Sequence, residues 1–261
     1  MKLSIHGCRG STPTSSHYTQ KYGGNTSCFE VTTDYHQIIF DAGSGFKNIK
    51  FSKSRASFLF LSHFHHDHIQ GMPFNPGLFD PKNEIIISSG LCDIELVKPT
   101  NQKYFSPPYF PIDIVSSLSN IKFLPFNAVQ EKLEKDISLD SILLKHPGGS
   151  IGYKLIEKNS SFIYLCDNEF DEDLRRSLAN FSENADLLVW DGMFTQKEIA
   201  DKKGWGHSSI EQAIDFNIGA NCKKILITHH APSRSDKELD QIAKDLPELF
   251  ILARDGLEIE V

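Results

Sequence analysis

Short apolar runs recur along the chain, and each leads into a residue able to bind a metal or carry a proton. Residues 37–40 (QIIF) run into Asp41, 58–61 (FLFL) into His63 and its neighbours, and 141–145 (SILLK) into His146. Residues 162–166 (FIYLC) run into Asp167, 186–190 (DLLVW) into Asp191, and 224–228 (KILIT) into His229 and His230. Apolar runs of this length between polar residues predict buried strands. A lone aspartate after a strand is more often a turn former than a catalyst. Six strands ending on Asp or His point instead to one shared rim, because α/β sheets build their sites at strand carboxyl ends.

Helical patterns appear between the strands. Ile210, Ala213, Ile214 and Ile218 share one face, with residues 208–211 (SSIE) ahead of them as a predicted capping box. A second box, 235–238 (SDKE), opens a helix predicted to reach about Leu246, before Pro247. Residues 169–181 form a third candidate, acidic at the start and basic in the middle, as the helix dipole favours. The proline- and aromatic-rich stretches 72–83 and 104–111 predict irregular chain, equally suited to walls over a site or to plain surface loops. With no repeat and no low-complexity linker, residues 1–261 are expected to form a single α/β domain.

Composition narrows the function classes. Hydrophobic residues at 39% and charged residues at 23% are ordinary for a soluble globular chain. No run approaches the roughly 18 apolar residues of a membrane span, and the first residues lack a signal-peptide core, so a cytoplasmic protein without a membrane partner is expected. Cys8, Cys28, Cys92, Cys166 and Cys222 are scattered with no Cys-x-x-Cys pair, which argues against a disulfide framework and a thiolate zinc site. A net charge of -7 gives no electrostatic help toward nucleic acid, although bound cations would reverse the sign locally.

The densest chemistry lies in residues 62–68 (SHFHHDH), where the spacing His63-x-His65-x-Asp67-His68 follows a strand. Three imidazoles and a carboxylate this close are costly to desolvate, and a divalent cation is the usual compensation. His63 and His65 can face one coordination sphere while Asp67 and His68 face its neighbour. Two such metals need further ligands, and His146, Asp167 and His229 would complete the set. His207 precedes a predicted helix start, where free N–H groups would help keep its imidazole neutral until it accepts a proton. His66 and His230 read as neighbours rather than ligands, and His6, His17 and His36 carry no spacing signal.

These ordered landmarks, Asp41-Ala-Gly, His63-x-His65-x-Asp67-His68, His146, Asp167 and His229, resemble those of the metallo-β-lactamase superfamily over nearly the whole chain. The resemblance implies a four-layer αββα sandwich. It also implies one metal on His63, His65 and His146, a second on Asp67, His68 and His229, and Asp167 bridging them. Residues 189–194 (VWDGMF), 206–209 (GHSS) and 226–229 (LITH) are similar to segments of the phosphodiesterase branch that includes tRNase Z. That likeness implies His207 as general acid oriented by Asp191, with Asp where Glu is usual; Asp67 counts with them among the catalytic residues. The segments 7–13 (GCRGSTP), 22–27 (YGGNTS), 107–111 (PPYFP) and 146–149 (HPGG) resemble a bacterial subset of the superfamily, in which Asn25 would donate to a phosphate or to Asp41, or simply tie two strands together. One departure stands out. tRNase Z carries a tRNA-gripping arm between the residues corresponding to His146 and Asp167, which here are only 21 positions apart.

The expectation is a metal-dependent hydrolase with two divalent ions, zinc first and manganese or iron also suited, acting through a metal-bridging hydroxide on a small cyclic or nucleotide phosphodiester. Structured tRNA is disfavoured, and a homodimer is left open. The alternatives are an acyl hydrolase of thioesters, lactones or β-lactams, which does not need Asp191 and His207, and a metal-containing sensing module without turnover. A redox di-iron role is weaker still, because that branch expects Glu where His65 stands.

Overall fold

In the computed structural model, residues 1–133 and 137–261 are described, and two sheets account for their strands. One holds β1 (Lys2–Gly7), β2 (Cys28–Thr32), β3 (His36–Phe40), β4 (Ala56–Phe60), β5 (Ile85–Ser88), β6 (Ile121–Phe123) and β13 (Glu258–Glu260), in the order β13-β1-β2-β3-β4-β5-β6. The other holds β7 (Ile137–Leu144), β8 (Ser150–Glu157), β9 (Ser160–Leu165), β10 (Leu187–Asp191), β11 (Ile225–Thr228) and β12 (Phe250–Leu252), in the order β12-β11-β10-β9-β8-β7. Strands β3 to β6 run parallel, as do β9 to β12, while β7, β8 and β9 form an antiparallel meander.

Period-two alternation on strands apolar on both faces explains the layering. On β4, Phe58 and Phe60 point between the sheets and Leu59 points outward; on β9, Phe162 and Tyr164 point inward and Ile163 and Leu165 outward. The inner layer is aromatic. Phe40 stands 5.4–5.5 Å, ring to ring, from Tyr153, Phe162 and Tyr164 of the opposite sheet. Beyond the second sheet, α5 (Glu172–Ser182), α7 (Ile210–Ala220) and α8 (Asp236–Asp245) bring Leu178, Ala213, Phe216 and Leu239 against Trp190, Leu188 and Ile225. The outer face of the first sheet is covered from α1 (His66–Ile69), α2 (Ile94–Tyr104), α3 (Ile114–Ser117) and their connections, through Ile69, Leu78, Phe105 and Ile114. The short α4 (Phe126–Gln130) and α6 (Gln196–Ile199) complete the helices named here. Helices outside two facing sheets make the expected αββα sandwich.

Several details depart from expectation. The capping box at α7 is Ser209 with Gln212, not residues 208–211; Ser208 instead donates its hydroxyl to the Asn168 carbonyl. Ile218 is 82% exposed, so the buried face of α7 is Ile210, Ala213, Phe216 and Ala220. Asp171 caps α5, leaving residues 169–171 outside the helix. The box at Ser235 and Glu238 forms as expected. Residues 72–83 are not plain surface loop, since Met72, Pro73 and Leu78 are buried. All five cysteines are free. Among the described residues, no helix is long and apolar enough to cross a membrane.

Phe40 meets three rings of the opposite sheet and Phe60 of its own. Phe40→Ala is expected to destabilise the fold by about 3–5 kcal/mol, read from denaturant unfolding. A loss below about 1 kcal/mol would mean that this ring is not central to the packing.

Candidate metal centre

The strand ends converge as the apolar runs foretold. His63 and His65 follow β4, His146 follows β7, Asp167 follows β9, and His229 follows β11, while Asp67 and His68 sit on α1. Ligand atoms of His63, His65, His146 and Asp167 lie within 4.8 Å of one another, and so do those of Asp67, His68, Asp167 and His229. Asp167 belongs to both groups. Asp41, Asp167 and His229 each adopt a left-handed backbone, with φ of 62°, 54° and 59°, a conformation costly for residues other than glycine. These turns swing the side chains off the strand ends into one cleft.

Surrounding hydrogen bonds fix which nitrogen each imidazole offers. Asp41 Oδ2 accepts from His68 Nδ1 at 2.7 Å, from Ser62 Oγ at 2.8 Å and from the Tyr164 hydroxyl at 2.8 Å. Because Ser62 spends its one proton on Asp41, its oxygen accepts from His63 Nδ1 at 3.0 Å. His146 Nδ1 donates to the Gly206 carbonyl at 2.8 Å. With Nδ1 engaged in this way, the Nε2 atoms of His63, His68 and His146 face Asp167, whose oxygens lie 3.1–3.6 Å away.

The residues fit divalent cations on their own chemistry. Nε2 of His63, His68 and His229 is buried without a hydrogen-bond partner, and His146 Nε2 meets His65 Nδ1 at 3.0 Å. Such unmatched polar atoms are expensive in an interior, and a bound cation satisfies them. Burial and the neighbouring rings push His63 well below its usual range, so it stays neutral. Burial works against the Asp167 charge, but His229 and His68 hold that carboxyl well below its usual range. Burial likewise lowers His65 and His146, and a carboxylate with such imidazoles is the donor set that zinc-type ions take.

A third group, Asp167, Asp191 and His207, lies beside the first two. His207 Nδ1 meets Asp191 Oδ2 at 2.8 Å, and its ring stacks on His229 at 4.9 Å between centroids. Burial lowers the His207 pKa, but the Asp191 charge and hydrogen bond outweigh that effect and raise it to about 9. The expected neutral ring at a helix start is thus corrected, since the carboxylate beside it favours the imidazolium. Asp in place of Glu still reaches, because Asp191 ends a strand next to the loop that carries His207.

Other residues had no readable signal. Ser11 donates its backbone N–H to Asp67 Oδ2 at 2.7 Å, and Glu169 accepts from the N–H groups of Gly204 and Gly206. Glu169 thereby pins the loop whose Gly206 carbonyl orients His146. Gly206 has φ of +84°, and a Cβ there would lie 2.2 Å from His146 Nδ1, so glycine is required. The His66 ring is exposed and meets Tyr104, whereas His230 is buried and bonded to the Ala253 carbonyl. Asn25 donates to Asp255 rather than to Asp41.

Comparison with known proteins agrees with this geometry. The profile described as the β-lactamase superfamily domain matches residues 36–230, which is most of the chain. The chain belongs to the metallo-β-lactamase superfamily. A curated relative, ribonuclease Z of Prochlorococcus marinus strain MIT 9515, is 26% identical over 266 residues, covering 77% of this chain and 80% of its own. Among solved structures, the metallo-β-lactamase fold protein YhfI of Bacillus subtilis superposes with a TM-score of 0.75 at 21% identity, covering 100% of this chain and 98% of its own. A diphosphatase of the PhnP family superposes with a TM-score of 0.69 at 14% identity, covering 100% and 97%. As a member of this superfamily, the chain is a metal-dependent hydrolase, and its fold implies divalent metals.

Elemental analysis is expected to find about two metal equivalents per chain, and Asp167→Ala is expected to lose most of both. Asp41→Asn keeps the side-chain size but weakens the acceptor of His68. It should lower metal affinity by about 10–100-fold in chelator competition. A stable one-metal protein, or an Asp41→Asn variant of unaltered affinity, would count against this site.

Proposed function

We propose that the chain hydrolyses small phosphodiesters, cyclic or nucleotide in type, with two divalent ions, zinc first. His63, His65 and His146 would hold one ion, Asp67, His68 and His229 the other, and Asp167 would bridge them. Bound there, the ions supply Lewis acidity and water activation near neutral pH. Asp167 keeps its charge beside the histidines, and Asp41, Ser62 and the Gly206 carbonyl keep the rings turned with Nε2 into the cleft. His207 is the proton donor to the departing alkoxide, and Asp191 is the residue that orients it.

The observation that carries this reading is the His207–Asp191 contact of 2.8 Å at the edge of the ligand set. An alkoxide is a poor leaving group and gains from a positioned acid, whereas acyl transfer through the same metals does not require the pair. A PhnP-family neighbour described as a diphosphatase lends support to a small phosphate compound as the substrate class. Precursor tRNA belongs in any panel because the curated relative is a ribonuclease Z. Against it stand the net charge of -7 and the span between His146 and Asp167, which is taken up by β8 and β9.

His207→Ala should retain its metal and lower kcat by about 10²–10⁴-fold on an alkyl phosphodiester, with a smaller loss on bis(p-nitrophenyl) phosphate, whose leaving group needs less protonation. Metal loss in this variant would make His207 a ligand, consistent with its place in the third group. In a substrate panel, bis(p-nitrophenyl) phosphate should be cleaved clearly better than nitrocefin, a lactone or a glutathione thioester. A panel won by the acyl substrates would transfer the assignment to acyl hydrolysis, and efficient 3′-end cleavage of precursor tRNA would restore RNA as the substrate.

A further inference from the structure

Beside the metal cleft lies a second cavity of about 610 Å³, larger than the 550 Å³ cleft that His65, Asp67, Asp167 and His207 help to line. The two are neighbours along the chain on both sides. Ser11 lines the cleft while Pro13, Thr14 and Ser15 line the second cavity; Asp67 lines the cleft while Gln70, Gly71 and Phe74 line the second cavity. Its size falls within the roughly 300–1,000 Å³ of small-molecule sites.

The chemistry of its wall is specific. Among the described residues no carboxylate lines it, in a chain of net charge -7, and the one charged group there is Lys47. Lys47 is exposed, and no ion pair commits its ammonium among the described residues. Ser15 is likewise exposed, with its hydroxyl committed to no described group. Gln70 gives its NH₂ to Thr26 Oγ1, which leaves its carbonyl as an acceptor, while Ser44 and Asn25 also line the cavity but are engaged with each other and with Asp255. Phe74 is 65% exposed with Phe110 set edge-on at 6.0 Å, so a broad aromatic surface meets solvent at the cavity. An uncommitted cation, hydroxyl and amide groups and an open aromatic face suit a phosphate, a sugar and a planar base together.

We infer that this cavity binds a nucleotide unit of the substrate that carries a second, non-scissile phosphate, with the base against Phe74 and that phosphate on Lys47. The identity of the ligand rests on the phosphodiesterase reading; its binding at Lys47 and Phe74 is read without turnover. The cation lies on 44–48 and the acceptor and aromatic face on 70–74, two segments that the fold brings to one wall.

Calorimetric titration of the metal-loaded full chain with adenosine 5′-monophosphate and with adenosine tests it. Lys47→Ala should weaken the monophosphate by about tenfold or more and adenosine by less than threefold, as expected for a lost charge-assisted hydrogen bond. Lys47→Arg should recover most of that loss. Phe74→Ala should weaken both ligands by about tenfold, through lost stacking. Undetectable monophosphate binding at millimolar concentration, or binding indifferent to both alanine variants, overturns the inference, the latter because the phosphate then sits on the metals alone. Equal losses of both ligands in Lys47→Ala overturn it as well. Failure to cleave bis(p-nitrophenyl) phosphate would sink the phosphodiesterase reading instead, leaving the titration to decide the cavity.

Discussion

The structure depends on one electrostatic constraint, the crowding of six imidazoles and two further carboxylates around the buried Asp167. Left to themselves, these groups are mismatched. Asp167 stands 3.1–3.6 Å from the Nε2 atoms of His63, His68 and His146, and among the described residues the Nε2 atoms of His63, His68 and His229 complete no hydrogen bond. Desolvation of that many polar atoms costs several kcal/mol unless cations occupy the gaps. The hydrogen bonds behind the rings make the mismatch deliberate in chemical terms. Asp41 draws a proton from His68 and, through Ser62, turns His63, so that their Nε2 atoms face inward.

Holding such a cluster requires rigidity on two scales. Near the site, glycines make room where side chains would collide. A Cβ on Gly10 would come within 2.5 Å of the His229 ring, and left-handed turns at Asp41, Asp167 and His229 fix the exit from each strand. Farther away, the aromatic layer between the sheets keeps β3, β4 and β9 in register, and those strands deliver Asp41, the histidine cluster and Asp167. Tyr164 joins the two scales. Its ring stacks on Phe40 within the core, while its hydroxyl donates to Asp41. Precise placement of ligands therefore follows from packing some distance away.

The legible part of this arrangement is the part written in local sequence. Apolar runs followed by Asp or His foretold the strands behind Asp41, His63, Asp167, Asp191 and His229, because strands buried on both faces read as continuous apolar segments, whereas the run before His146 forms an edge strand with Leu143 63% exposed. Spacing within residues 63–68 foretold the histidine groups. What escaped was nonlocal. Glu169 fixes Gly206 across the cleft, Asp255 claims Asn25, and Ser11 reaches Asp67, and in each case the partners are distant in sequence. The α7 cap slipped by one residue because consecutive serines offer two equivalent capping patterns, and only the Asn168 carbonyl, 40 residues away, claims Ser208. Ile218 looked like core because periodicity cannot tell where a helix face turns to solvent.

The charge of the whole chain misleads about the cleft. Formal charge is -7, yet the carboxylates nearest the site are committed, Asp41 to three donors on one oxygen and Asp191 to His207. Divalent ions among the ligands, an imidazolium at His207 and a free ammonium at Lys47 would make the working surface locally positive within an acidic exterior. At physiological ionic strength exposed charges are screened beyond about 8 Å, so a small anion seated in the cleft is held by these near groups. A long polyanion meets the acidic exterior along its remaining length, and its binding is set by that wider field. The same residues therefore favour a compact phosphate ester over an extended nucleic acid, and the selection arises from where charge is placed rather than from its total.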